Sequence, residues 1–252
     1  MPTSDPTRTE RSGRLRAEAE TLAAEALGQG HRTDPVLAHT GGPAGNARLT
    51  AWVGVVLLAL FLAELVTLLD VQGLISWHIA LGVVLIPPAL LKTASTSWRI
   101  VRYYTGSRPY RTAGPPPLLL RVLGPLVVLA TLVLLGSGVV LIALGEASSR
   151  SQTVLGVNWV DLHQATFVVF AVVTGVHVLA RLVPALALTT RRVRKHTGLP
   201  EDVPGRVPRL ALVLLSLAVA GVAVALLLPL ASSWQLDDFG RFGPPPGFAR
   251  EH

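Results

Sequence analysis

The sequence predicts an all-α integral membrane protein with five transmembrane helices. Two observations carry that prediction. The chain is 50% hydrophobic with only 15% charged residues and a mean hydropathy of +0.52, too apolar for a soluble domain of this length. It also contains five apolar stretches, each long enough to cross a hydrocarbon core of about 30 Å, which takes roughly 20 helical residues.

The stretches run from Leu49 to Leu69, Leu74 to Thr96, Leu118 to Leu144, Val160 to Pro184 and Leu210 to Leu230. Pro87 and Pro88 fall inside the second and Pro125 inside the third, where a missing N–H and a clash with the preceding turn favour a kink. Before the first stretch lies a polar segment, residues 1–48. It has no apolar signal core near its start, and it contains a helix-forming run from Arg11 to Leu27 whose weak apolar edge is Leu15, Leu22 and Ala26. Residues 49–184 read as a four-helix membrane bundle and 185–209 as a basic loop. Residues 210–230 form the fifth span, and 231–252 a Pro-rich tail.

Charge sets the orientation. Of the 22 Lys and Arg residues, 19 lie in 1–49, 92–121 and 181–209, and only Arg150, Arg241 and Arg250 lie elsewhere. The positive-inside rule makes those three segments cytoplasmic. The expectation is a multi-pass protein of the plasma membrane with its N-terminus inside and its C-terminus outside. The sequence pI of 10.9 therefore reports membrane orientation and not a nucleic-acid partner, because the arginines form no recognition stripe.

With no cysteine and with Met1 the only methionine, thiolate clusters, covalent haem attachment and methionine ligation are excluded. Histidine remains. His78 and Lys92 are fourteen residues apart, as are His163 and His177. Fourteen helical residues span about 21 Å and almost four full turns, so each pair occupies nearly one face at two depths. The predicted topology runs the second and fourth spans parallel, placing His78 level with His163 and Lys92 level with His177. Ionisable side chains in lipid usually face the bundle interior and a partner. This layout suits non-covalently held haem b, one at the outer level and a second possible at the inner level.

Gly82, one turn below His78, and Gly136 and Gly138 on the third span offer room for a flat macrocycle against the backbone. Glu64 lies at the same height on the first span. Three roles are open to it: orienting an imidazole, handling a proton, or reaching the interface. Lys92 has two, ligation through a neutral amine or snorkelling to cytoplasmic water. Arg99, Arg102 and Arg181 are candidate propionate partners, or simple positive-inside anchors. Each histidine also has a plain reading, as a hydrogen-bonded contact between helices.

The stretches Trp77–Leu85, Leu91–Gly106 and Asn158–Leu182 resemble the bacterial membrane cytochrome b superfamily, whose four-helix bundle holds one or two haems between histidines. The resemblance covers residues 50–184. It departs from the di-haem pattern at Lys92, where such members usually offer histidine. It implies electron transfer between the quinone pool and a redox partner protein. No segment suits a soluble catalytic domain, so the expectation is an electron-transfer subunit anchoring a separate oxidoreductase in the bilayer, and not a self-contained enzyme. The alternative is a non-redox scaffold or accessory subunit without haem. A transporter fits less well, because the midplane of every span is apolar.

Overall fold

The computed structural model describes residues 34–114, 118–189 and 203–234, together with Gly13, Arg16, Ala17 and Glu20; the side chains of 118–120 and 180–189 lie outside that description. The expected N-terminal helix, the basic loop and the Pro-rich tail therefore fall largely outside the described residues. Among the described residues, five helices are long and apolar enough to cross a membrane, which fits a multi-pass protein in contact with lipid.

Helix α1 spans Gly42–Thr67 and tightens into a 3₁₀ turn at Leu68–Asp70. Helix α2 spans Ile75–Tyr104 and continues through Pro87 and Pro88. A short helix, α3, covers Arg108–Thr112. Helix α4 spans Leu118–Ser151 but is broken at Gly145, whose φ of 72° and ψ of 173° are not helical. A β-carbon there would stand 2.9 Å from Ser233 Oγ, so the break needs glycine both for its backbone and for its neighbour. Two-residue strands β1 (Thr153–Val154) and β2 (Val157–Asn158) pair antiparallel. Helix α5 spans Trp159–Thr189, and α6 spans Arg206–Leu227 before a 3₁₀ segment at Leu228–Trp234. The helices run past the predicted spans, α1 before Leu49, α2 beyond Thr96, α4 beyond Leu144 and α5 beyond Pro184, whereas α6 proper stops at Leu227, short of Leu230.

The start of α5 is written locally. Asn158 accepts a hydrogen bond from the Asp161 N–H at 2.9 Å and donates its own amide to Asp161 Oδ2 at 2.8 Å. The first bond satisfies one backbone N–H left over at the helix N-terminus, and the second holds the two side chains in that geometry. It fixes where the helix begins, and so the height of His163 five residues later.

Helix α1 packs on α2 and α5, and α4 packs on α5 and α2. Helix α6 lies against α2, and its 3₁₀ extension lies against α4. Small apolar clusters hold these contacts: Leu49 and Val53 with Val213, Val83 and Ile142 with Ala231, and Leu123 with Val127 and Val173. Trp234 donates its indole N–H to the Leu141 carbonyl at 3.1 Å, which pins the segment after α6 onto α4. In the apolar window of each spanning helix, at most 22% of residues are buried by the protein itself. Side chains such as Leu62, Val168, Leu214 and Val222 remain exposed, a surface that only lipid would cover without penalty.

Candidate functional site

A cavity of about 1220 Å³ lies between α1, α2, α4 and α5. Its walls run from Leu68, Val71 and Ile75 at one end to Asp34, Arg99, Tyr110 and Arg121 at the other. His78, His163, Lys92 and His177 all line it. The fourteen-residue spacing thus becomes two polar levels, about 21 Å apart along the helices.

At the first level the His78 and His163 rings face one another, their centroids 6.4 Å apart and their planes at 90°. Each ring is held by its Nδ1. His78 Nδ1 lies 2.9 Å from Glu64 Oε1 and 3.0 Å from Thr67 Oγ1. The Thr67 hydroxyl donates to the Glu64 backbone carbonyl at 2.6 Å, so it meets the imidazole as an acceptor. His163 Nδ1 lies 2.9 Å from Ser137 Oγ. Ser137 in turn donates to the Leu134 carbonyl, also at 2.9 Å, and so accepts from the ring. Both imidazoles are therefore directed to the tautomer with the proton on Nδ1, which leaves a lone pair on Nε2 for a metal.

The spacing has a chemical meaning. A metal bound to one nitrogen of each ring at about 2.0 Å, with about 1.1 Å more from nitrogen to ring centre on each side, would need centroids roughly 6.2 Å apart. Among the described residues no group of three or more His, Cys, Asp or Glu side chains is placed to hold a bare metal ion. Two axial imidazoles suffice when a macrocycle supplies the other four ligands. Gly138 lies beside the pair, where a β-carbon would be 3.4 Å from His163 Cε1. Gly82 lines the cavity across from it, and a β-carbon there would be 3.7 Å from Glu64 Oε1.

At the second level His177 and Lys92 line the cavity, but the lysine turns towards α1. Its amine donates to the Thr50 carbonyl at 3.2 Å. That contact directs the amine at the α1 backbone and away from the centre of the cavity level. Gly124 of α4 also lines this level, and a β-carbon there would meet nothing within 4 Å. Gly124 and Gly138 are themselves fourteen residues apart, so α4 carries the same repeat as the helices of the histidines.

The remaining candidates separate. Gly136 is not among the cavity-lining residues. Two residues of helix turn about 200°, so Gly138 faces in while Gly136 faces away. Arg99 reaches the cavity, but its guanidinium is paired with Asp34 through contacts of 2.8 and 3.2 Å. Arg102 is not among the lining residues and sits over the rings of Trp98 and Tyr110, at 5.6 and 5.9 Å. Arg181 belongs to α5, but its side chain lies outside the described residues. Sequence reasoning missed Thr67, Ser137, Gly54 and Asp34. Ser137 sat between two glycines and Thr67 three residues after Glu64, at spacings that carry no chemical signal on their own.

Comparison with protein-family models, with curated proteins and with solved structures finds no match.

Proposed function

We propose that this chain is a b-type cytochrome of the membrane cytochrome b type, relaying electrons between the quinone pool and a redox partner protein. In this reading α1, α2, α4 and α5 form the haem-binding four-helix bundle and α6 lies outside it. The N-terminus is cytoplasmic, the C-terminus extracytoplasmic, and the membrane is the plasma membrane, because 19 of the 22 basic residues fall in three segments that one orientation places inside.

The observation that carries the reading is the 6.4 Å between the His78 and His163 rings, each fixed through Nδ1. That separation leaves space for one hexacoordinate iron and is too wide for the rings to bond each other directly. Haem b, when bound, supplies reversible one-electron iron chemistry. The chain's own part is to hold it. His78 and His163 would ligate it, Thr67, Glu64 and Ser137 would orient those rings, and Gly82 and Gly138 would leave clearance for the macrocycle.

The cavity exceeds the usual volume range for a single small ligand, about 300–1,000 Å³. Together with the repeat at Gly124, this supports a second haem at the inner level with His177 as its protein ligand. Lys92, whose amine is engaged by the Thr50 carbonyl of α1, serves there as a polar neighbour of the cofactor and not as an iron ligand. Two such sites, about 21 Å apart along the axis, would form a transmembrane relay.

The test is a reduced-minus-oxidised spectrum and a pyridine haemochrome assay on detergent-purified protein from haem-supplemented cells. The expected result is low-spin b-type haem, lost at the outer site on His78→Ala or His163→Ala. A folded, colourless wild-type protein would overturn the proposal and leave a scaffold whose histidines only bridge helices.

A further inference from the structure

The two imidazoles of the outer site are held by different chemistry, and the difference has a consequence for the electron they would share. His163 Nδ1 meets a neutral hydroxyl, Ser137 Oγ, at 2.9 Å. His78 Nδ1 meets a carboxylate oxygen, Glu64 Oε1, also at 2.9 Å. The carboxylate is held in place by its own helix. Glu64 and Thr67 are one turn apart on α1, and the Thr67 hydroxyl bridges from the Glu64 backbone carbonyl to the same imidazole nitrogen.

Glu64 has little else to do with its charge. Its side chain is 12% exposed, and its second oxygen, Oε2, is buried with no hydrogen-bond partner among the described residues. A carboxylate in water or in a salt bridge spreads its charge over several donors. Here the one close polar contact shown is the 2.9 Å approach of Oε1 to His78 Nδ1, in an apolar setting that strengthens the attraction between a carboxylate and the ring N–H. A carboxylate at that distance stabilises the Nδ1–H electrostatically and makes Nε2 a stronger donor. A more basic ligand and a nearby negative charge both favour ferric over ferrous iron. No equivalent acts on the His163 side.

We propose that Glu64 is a potential-setting, positioning residue: it makes His78 the electron-rich ligand of an unequal pair and lowers the reduction potential of the outer haem. Thr67 aligns the imidazole, and Ser137 fixes the His163 tautomer without adding charge. This inference rests on the haem reading above, and the experiment separates the two.

The experiment is a spectroelectrochemical titration of purified wild type, Glu64→Gln, Ser137→Ala and Thr67→Val, with low-spin haem confirmed by absorption in each. Glu64→Gln keeps a hydrogen-bond acceptor of the same size and removes only the charge. The outer-haem midpoint should move upward in Glu64→Gln and by clearly less in Ser137→Ala. Glu64→Asp should restore part of the change. A Glu64→Gln protein with low-spin haem and the wild-type midpoint overturns the inference, as does a Ser137→Ala shift as large as that of Glu64→Gln. If Glu64→Gln fails to hold haem, Thr67→Val decides. Removing the competing acceptor concentrates the Nδ1–H on the carboxylate, so the midpoint should fall, and an unchanged or higher value overturns the inference. Wild-type protein without haem sinks the underlying reading instead.

Discussion

Lys92 rests on Gly54: a β-carbon at that glycine would stand 2.8 Å from the lysine amine. The missing side chain lets the amine pass over α1 and donate to the Thr50 carbonyl, one turn before Gly54. The lysine therefore belongs to the α1–α2 contact as much as to the cavity.

That relationship predicts how the inner level responds to mutation. His177→Ala should lower the haem stoichiometry from two per chain to one, and Lys92→Met should leave it at two. Haem per chain from the pyridine haemochrome assay, against protein by amino-acid analysis, is the measurement. Loss of the same haem in both variants would establish lysine ligation. One haem in wild type and in both variants would remove the inner site.

The perpendicular rings at the outer level predict a spectroscopic signature. If both rings ligate one iron, each would donate π density into the iron orbital perpendicular to its own plane. With planes 90° apart, the two orbitals are raised alike and stay nearly degenerate. Low-temperature electron paramagnetic resonance of the oxidised protein should show a strongly anisotropic low-spin signal. A rhombic spectrum typical of parallel ligand planes would mean that the rings turn when the cofactor binds.

Clearance at α4 can be tested one level at a time. Gly138→Leu fills space in which even a methyl carbon would be 3.4 Å from His163 Cε1, so the outer haem should be lost while the inner one stays. Gly124→Leu extends into a region with nothing within 4 Å, and should remove the inner haem alone. Overpacking costs of about 1–3 kcal/mol are small enough for the fold to survive, which thermal unfolding followed by circular dichroism would check. A Gly124→Leu protein with its full haem complement would count against the inner site.

Topology gives an independent test. Reporter fusions at Thr33, Ala113 and Leu199 should read cytoplasmic, and those at Ser149 and Gly247 external. A contrary result at Ala113, Ser149 or Leu199 in an otherwise intact protein would invert one of the two histidine helices. His78 and His163 could then not share a level through parallel spans.

Much of this arrangement is legible one helix at a time. Span lengths follow from apolar runs and bilayer thickness, and five helices of sufficient length and apolarity are present. The start of α5 rests on a contact between near neighbours, the Asp161 N–H to the Asn158 side chain, so it too is local. The break at Gly145 is less legible. Nothing in its flanking sequence announces it, and the reason for it, Ser233, lies 88 residues away in the chain.

For the candidate site, periodicity determined which residues could share a face. The fourteen-residue spacings of His78 with Lys92 and His163 with His177 are properties of α-helix geometry, and need no partner to be recognised. Which atom of each side chain meets which neighbour was decided only by the packing of α1, α2, α4 and α5. Helical phase leaves Gly136 and Gly138 on opposite sides of α4, but only the placement of α5 makes Gly138 the inward one. Lys92 was level with His177 by spacing, yet the close approach of Gly54 draws its amine to α1. Thr67 and Ser137 carry no motif, because a hydroxyl acquires its acceptor role from where its own proton goes. Here that is the backbone carbonyl of Glu64 or Leu134, each three residues earlier. Local sequence determines depth and face through the regular helix, while chemistry at a ring nitrogen depends on through-space contacts between helices, which tertiary structure alone sets.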